Sequence, residues 1–256
     1  RPLFRLGTIR NHLRHEMNCL LKAGHAVGIV LGEAVANEAE RESLIPEGVS
    51  LYTIKQADLL KVFPSYFPAS LSLFRGESTQ QQLRQFDKIL SPVIGDFKPS
   101  VMVCYESASD TTLRLLYKDI PILSSTLGIF SRPPYPETFC LDPVGIFSNS
   151  WLAKFGKEKF SSLHVGEKER VFCDNLRQKY FNGIIESSNP FQKDKLCKGF
   201  EKTVLLPLQV SNYFAFDACL PEGISFSSQF DFLCWVLSQV PSDIGALVTE
   251  HPAQPV

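Results

Sequence analysis

The sequence predicts an α/β fold with mainly parallel sheets, arranged as two successive domains. Short apolar runs of strand length alternate along the chain with stretches of helical periodicity. A helical pattern that begins at Ile9 runs into the apolar segment 26–31, and the apolar segment 203–210 precedes a helical pattern at 227–240. The chain has 256 residues, enough for one large domain or two smaller ones.

The first predicted domain, residues 1–186, contains most of the alternation. Its opening helix ends at Gly24, a residue that commonly stops helices. The aromatic-rich segment 58–75 is interrupted by two prolines, so we expect a loop with a short helix there. The remaining predicted elements follow in order: strands at 26–31 and 46–54, a helix at 76–94, a strand at 101–107, a helix at 108–118, a strand at 121–126, a long proline-rich loop at 131–150 and helices within 151–182.

The second predicted domain, residues 202–256, follows a linker at 187–201. Its first strand, TVLLPLQV, lacks the alternation of a half-exposed strand, which predicts a central buried position. A helix with a serine cap at 227–240 and a strand at 244–250 complete it. Because the chain starts at Arg1 and stops soon after the last strand, we expect a piece of a longer protein whose second domain is truncated.

Composition excludes several classes of function. The net charge of −1 leaves no polybasic surface for nucleic acid. The seven cysteines form no CxxC pair and lie mostly in apolar runs, so we expect buried free thiols in a reducing cytoplasm and no metal site. No apolar run approaches the ~20 residues that span a bilayer.

Polar residues follow both strands of the second predicted domain. Gln209 ends the first strand, and Glu250, His251 and Pro252 end the second. Parallel strands deliver their carboxyl ends to one sheet edge, where ligands of open α/β sheets bind. A histidine there can donate to a phosphate, and we expect a nucleotide site at this edge, formed by these four residues. The plainer interpretation is a surface turn after each strand.

The loop PETFCLDPVGIFSNS carries candidate catalytic carboxylates, Glu137 and Asp142. The alternative role for Asp142 is an Asp-Pro turn. Residues 148–150 suit either sugar hydroxyls or a cap for the helix that starts at Trp151. The basic first helix offers Arg10 and His12 to an anionic acceptor, with a solvated helix face as the alternative.

Three stretches together resemble the capsule polysaccharide biosynthesis and export family, which includes transferases that use CMP-activated Kdo. They are TVLLPLQVSNYFAFD, FDFLCWVLSQVP and LVTEHP, and the loop PETFCLDPVGIFSNS is similar to a proline-acid loop of related proteins. The resemblance implies two Rossmann-like domains of the glycosyltransferase B type, with the nucleotide on the second domain and His251 and Pro252 at its phosphate. It also implies that no metal or other cofactor is needed.

We therefore expect a cytoplasmic glycosyltransferase of bacterial capsule or surface polysaccharide synthesis. Its donor would be CMP-Kdo or another nucleotide sugar, and its acceptor a glycan or glycolipid. Peripheral association with the capsule assembly machinery at the inner membrane is part of the same expectation. The alternatives are a non-catalytic capsule assembly or export protein, and a sugar-nucleotide epimerase or sialyltransferase of the same fold.

Overall fold

The computed structural model describes residues 6–64, 66–128, 139–162, 164–181, 199–208, 220 and 224–249. By their internal contacts the residues form two compact units, unit 1 at 1–126 and unit 2 at 127–256. The division lies earlier than the predicted linker at 187–201, of which 187–198 fall outside the described residues. The predicted domain boundaries therefore stay a prediction, whereas the mixed α/β character is confirmed.

Unit 1 follows the predicted order of strands and helices, except that the helix at Glu33–Arg41 was not predicted. A π-helical turn at Ile9–Leu13 leads directly into the first helix. The elements after that turn are α1 (Arg14–Lys22), β1 (Val27–Gly32), α2 (Glu33–Arg41), β2 (Val49–Ile54), α3 (Gln56–Val62), α4 (Tyr66–Arg75), α5 (Gln80–Phe97), β3 (Met102–Tyr105), α6 (Asp110–Leu116) and β4 (Ile122–Leu127).

The strands of unit 1 form parallel pairs, as the alternating sequence pattern predicts. β1 pairs with β2 in a register that aligns Val27 with Val49. β3 pairs with β4 in a register that aligns Cys104 with Ser124 and Tyr105 with Ser125. Each pair therefore presents two carboxyl ends at the same edge, which is the edge where ligands bind in open α/β sheets.

Three helices of unit 1 end in the same hydrogen-bonded arrangement. After α1, α2 and α4 the chain turns through a residue with positive φ, respectively Gly24, Ser43 and Gly76. The next N–H group then bonds back to the carbonyl five residues earlier, as in Leu44 to Ala39 at 2.8 Å. This is the Schellman motif, which satisfies the last carbonyls of a helix and usually takes glycine at the turning position.

The segment 58–75 is more helical than predicted. It forms most of α3 and all of α4, and its apolar side chains contribute to the hydrophobic core rather than to a loop. Val62, Phe63 and Leu73 pack with Phe86 and Leu90 of α5. Pro64 lies between the two helices, where its missing N–H group costs neither of them a hydrogen bond. Pro64 therefore marks a helix boundary, and Pro68 lies in the first turn of α4, where a proline costs few hydrogen bonds.

Unit 2 contains β5 (Phe139–Asp142), α7 (Trp151–Ser161), α8 (Glu167–Leu176), β6 (Lys202–Pro207), α9 (Gln229–Gln239) and β7 (Ile244–Thr249). A 3₁₀ turn at Phe147–Asn149 precedes α7, and a π-helical turn follows α8. The predicted long loop at 131–150 is thus wrong for 139–142, which form a strand. The serine cap of α9 is confirmed, because the Ser228 hydroxyl accepts a hydrogen bond from the N–H group of Asp231.

The first strand of the second predicted domain is not a buried central strand. β6 pairs in parallel with β7, but Leu205 is 56% exposed and Leu206 only half-buried. The apolar sequence TVLLPLQV therefore correctly indicates a strand and wrongly indicates its depth. Burial depends on which elements cover the two faces of a strand, and a run of apolar letters does not specify them.

The cysteines also differ from the prediction. Cys104 is buried, but Cys19, Cys140, Cys173 and Cys234 are exposed free thiols. In the described ranges, no helix has the length and apolar character to cross a membrane.

Candidate functional site

The nucleotide-sugar site is predicted at the carboxyl ends of β6 and β7. The two strands are parallel and in register from Lys202 and Ile244 through Pro207 and Thr249. One further hydrogen bond joins the N–H group of Leu208 to the carbonyl of Thr249 at 2.8 Å. It continues the pairing to Leu208, the last described residue after β6. The prediction that both strands end at one edge is therefore confirmed.

The residues predicted to bind the nucleotide sugar come directly after these strands. Gln209 follows Leu208, and Glu250, His251 and Pro252 follow Thr249 in the chain. All four lie outside the described residues, so their assignment stays a prediction. The candidate catalytic residue Glu137 also lies outside them.

Of the two candidate carboxylates, the structure describes Asp142. Its oxygens accept hydrogen bonds from backbone N–H groups. One carboxylate oxygen, Oδ1, accepts the N–H groups of Val144 at 2.8 Å and Gly145 at 3.1 Å. The other oxygen accepts the N–H group of Trp151 at 2.8 Å. These bonds tie the turn after β5 to the first residue of α7. The geometry matches the Asp-Pro turn interpretation, extended by an interaction with the helix N-terminus.

The rest of this loop is built around the same helix end. The Ser150 hydroxyl accepts the N–H group of Ala153 at 3.1 Å and donates to the carbonyl of Phe147 at 2.7 Å. This confirms the capping interpretation at Ser150. Gly145 is needed for space, because a Cβ atom there would lie 2.8 Å from the carbonyl oxygen of Asn149.

The two predicted acceptor-binding residues lie on the π-helical turn of unit 1. The Arg10 guanidinium forms an ion pair with the carboxylate of Glu42, which caps the end of α2. His12 is partly buried. The contact between Arg10 and Glu42 joins two helices of unit 1, so the arginine has a structural role beside any role in binding.

A buried polar network in unit 1 was not predicted. The Asp110 side chain, 1% exposed, accepts hydrogen bonds from Arg114 Nε at 3.2 Å and from the Ser124 hydroxyl at 2.9 Å. Arg114 Nη2 also donates to the Ser124 hydroxyl at 2.9 Å. The spacing Asp110 to Arg114 is a visible i,i+4 pair, but its partner Ser124 comes from the next strand, which sequence periodicity cannot locate.

Cys104 lies beside this network at the end of β3. Burial and the nearby Asp110 carboxylate raise the pKa of Cys104 to about 12, although Arg114 opposes the shift. The thiol is therefore protonated at neutral pH and is a poor nucleophile. The network joins α6 to the β3–β4 pair without presenting a reactive sulfur.

The carboxyl edge of β3 and β4 also carries a residue in an uncommon conformation. Glu106 has φ of 40° outside any helix end, and its N–H group bonds to the carbonyl of Ser125 at 2.9 Å. The Ser125 hydroxyl is fully buried and, within the described part of the chain, has no hydrogen-bond partner. Non-glycine residues with positive φ are uncommon and worth attention at functional sites.

Neither the comparison with known proteins nor a search for metal ligands assigns a function to these residues. No protein-family model and no curated protein matches the chain. Among the residues that the structure describes, no group of three histidine, cysteine, aspartate or glutamate side chains is arranged to hold a metal ion. The class of protein therefore has to be argued from the strands, loops and side chains themselves.

Proposed function

We propose that the chain is part of a glycosyltransferase that uses a nucleotide sugar, with CMP-Kdo as the first donor to test, in capsule or surface polysaccharide synthesis. The supporting observation is the parallel, in-register pairing of β6 and β7. Gln209 and His251 follow those two carboxyl ends in the sequence, so we expect both residues at that edge, where α/β folds bind nucleotides. The finer assignment to two Rossmann-like domains of the glycosyltransferase B type is part of this proposal.

In the proposed reaction His251 donates a hydrogen bond to the phosphate of the departing nucleotide. This bond strengthens as the phosphate gains charge in the transition state, so it lowers the barrier to transfer. Glu137 or Asp142 acts as base or nucleophile in the proposal. Asp142 would have to do so while its oxygens hold three backbone N–H groups.

The test compares His251→Ala with His164→Ala in the full-length protein. His164 is an exposed histidine of unit 2 outside the strand ends, so its substitution is a matched control. We expect His251→Ala to reduce turnover of CMP-Kdo roughly a hundred- to thousandfold while the melting temperature stays unchanged. Equal turnover of both variants, with CMP-Kdo and with a panel of CMP and UDP sugars, would contradict the phosphate role.

A second candidate is a non-catalytic capsule assembly or export protein that keeps the fold. The observation in its favour is that two charged candidate residues have structural contacts. Asp142 accepts hydrogen bonds from backbone N–H groups, and Arg10 forms an ion pair with Glu42. This candidate predicts no transfer to any acceptor, and it predicts that Glu137→Gln leaves the protein's function unchanged. Transfer that is lost in Glu137→Gln would exclude it.

A further inference from the structure

A polar cavity lies in unit 1 between the start of α5 and the end of α6. Its volume is about 420 Å³, within the range of small-molecule sites. One wall is a single face of α5, since Gln80, Arg84 and Asp87 are spaced four and three residues apart. The opposite wall carries Lys118, from the turn after α6. The cavity is separate from the residues of the proposed donor site, and nothing in its argument depends on that proposal.

The charged groups of the cavity favour an anion. Arg84 and Lys118 line it, and across the described ranges neither side chain takes part in an ion pair. The lining carboxylate, Asp87, already accepts the hydroxyl hydrogen of Tyr117 at 2.8 Å. The walls therefore carry two positive charges and one negative charge, a net charge of +1.

The N-terminus of α5 adds to this preference. Thr79 and Gln82 form a capping box in which each side chain accepts the other residue's N–H group, at 3.2 Å and 2.9 Å. The first four N–H groups of a helix lack intrahelical acceptors. The capping box supplies acceptors for the N–H groups of Thr79 and Gln82, and it supplies none for those of Gln80 and Gln81. The first turn contains no acidic side chain that would neutralise this end of the helix. A helix N-terminus of this kind stabilises phosphate and carboxylate groups.

Ser78 is an independent indication of a ligand. Ser78 is a half-buried residue that lines the cavity from the turn before α5, and its hydroxyl oxygen is buried without a hydrogen-bond partner in the described part of unit 1. A buried hydroxyl without a partner is unfavourable, and few such groups occur in folded proteins. A ligand atom that accepts or donates a hydrogen bond there would satisfy it.

The backbone before Ser78 is held close to α6. Gly76 turns with φ of 70°, and a Cβ atom there would lie 3.2 Å from the side chain of Thr111. The turn therefore packs directly against α6, with little room for a side chain at position 76. Leu83, Leu115 and Leu116 complete the lining and supply apolar surface for the uncharged part of a ligand.

We propose that this cavity binds a small phosphate monoester. A dianionic phosphate matches the two cations and the helix N-terminus, its oxygens suit the Ser78 hydroxyl, and the leucines contact the organic group. A cavity of about 420 Å³ accommodates a sugar phosphate and is too small to enclose a long acyl chain.

The test is calorimetric titration of the full chain with ribose 5-phosphate, inorganic phosphate and ribose. We expect saturable binding of ribose 5-phosphate, weaker binding of phosphate alone because the leucine contacts are missing, and no binding of ribose. The double variant Arg84→Gln/Lys118→Gln should bind roughly tenfold or more weakly, since it loses charge-assisted hydrogen bonds. The control variant Lys22→Gln/Lys55→Gln removes two exposed positive charges elsewhere in unit 1 and should bind as the wild type does.

Ser78→Ala separates a binding role from a structural one. Because the buried hydroxyl has no partner, its removal should leave the melting temperature of the free protein unchanged or raise it, while the ligand-induced rise in melting temperature becomes smaller. Circular dichroism verifies that each variant is folded, and single variants at Arg84 and Lys118 replace the double variant if it is not.

Three outcomes would overturn the proposal. The first is an absence of saturable binding with ribose 5-phosphate, and the second is equal affinity in the double variant and its control. The third is equal affinity for ribose and for its phosphate ester. Cosedimentation with vesicles containing phosphatidic acid tests whether the phosphate monoester belongs to a lipid or to a soluble molecule. Binding to these vesicles without binding to ribose 5-phosphate would contradict a soluble ligand.

Discussion

Replacing Asp110 by alanine should strongly destabilise unit 1. The carboxylate is 1% exposed, and its removal leaves the Arg114 guanidinium and the Ser124 hydroxyl without their shared acceptor. Breaking a buried ion pair by removing one partner typically costs 3–5 kcal/mol. The Arg114 side chain is 24% exposed and regains some water, so we expect the lower end, about 3 kcal/mol.

The matched control is Asp58→Ala, which removes a carboxylate that pairs with Lys61. That pair is shorter, at 2.7 Å against 3.2 Å, but its side chains are 42% and 74% exposed. Water and salt screen an exposed pair, so its removal should have little measurable effect. The comparison therefore separates burial from distance as the cause of the stability change.

Two measurements follow the effect. Urea denaturation gives the free energy of unfolding, and mass spectrometry after reaction with a thiol reagent gives the labelling rate of Cys104 alone. Cys104 is 7% exposed and reacts after the structure around it opens, so 3 kcal/mol should accelerate labelling roughly a hundredfold. Equal unfolding free energies for Asp110→Ala and Asp58→Ala would refute the reasoning, as would an unchanged labelling rate at Cys104.

Three further predictions concern the Asp142 loop and Cys104. Asp142→Ala should cost about 1–2 kcal/mol in urea denaturation, because it removes the acceptor of three backbone N–H groups, and an unchanged midpoint would contradict this role. Gly145→Ala should cost about 1–3 kcal/mol because its Cβ atom would lie 2.8 Å from a carbonyl oxygen. Gly95→Ala, in the last turn of α5 with nothing within 4 Å, should instead stabilise by about 0.5–1 kcal/mol, and the same sign for both glycines would contradict the steric argument. The Cys104 thiol ionises near pH 9.0 in the unfolded chain and at about 12 in the folded one, so its contribution is complete below pH 9.0 and is lost as the pH rises towards 12. The stability difference between wild type and Cys104→Ala should shrink over that range, and a constant difference would be inconsistent with the shift.

The order of secondary-structure elements was largely predictable from the sequence. The parallel pairing of β6 with β7 and the serine cap of α9 agree with the residue pattern, because periodicity and caps are set within a few residues. The errors lie at 58–75, where two prolines suggested a loop with a short helix, at Glu33–Arg41, where no helix was predicted, and at 139–142, where a proline-rich stretch suggested a loop instead of β5. A proline restricts only its own backbone and that of its neighbours, and it is tolerated in the first turn of a helix, so helices and strands form close to prolines.

The candidate site was less predictable, because its residues meet over long distances in the chain. Asp142 was selected as a carboxylate in a loop, but its contact with Trp151 nine residues later shows that it also holds the start of α7. Arg10 was selected as a free cation on a helix, and its partner Glu42 is 32 residues away. No window of 11–18 residues contains both Arg10 and Glu42, and even for Asp142 and Trp151 the pattern of residue types does not show that they are in contact, so the role of each side chain depends on packing.

The sequence by itself determined that this protein alternates strands and helices and where most of them lie, and it indicated the parallel pairing seen for β1 with β2, β3 with β4 and β6 with β7. These properties follow from local backbone preferences and from the periodic placement of apolar side chains. Only the tertiary structure decided that Leu205 is exposed, that Asp110 is buried beside Ser124, and that Ser78, Arg84 and Lys118 line one cavity. Burial and side-chain partnership are properties of surfaces brought together by folding, and residues far apart in the chain supply those surfaces.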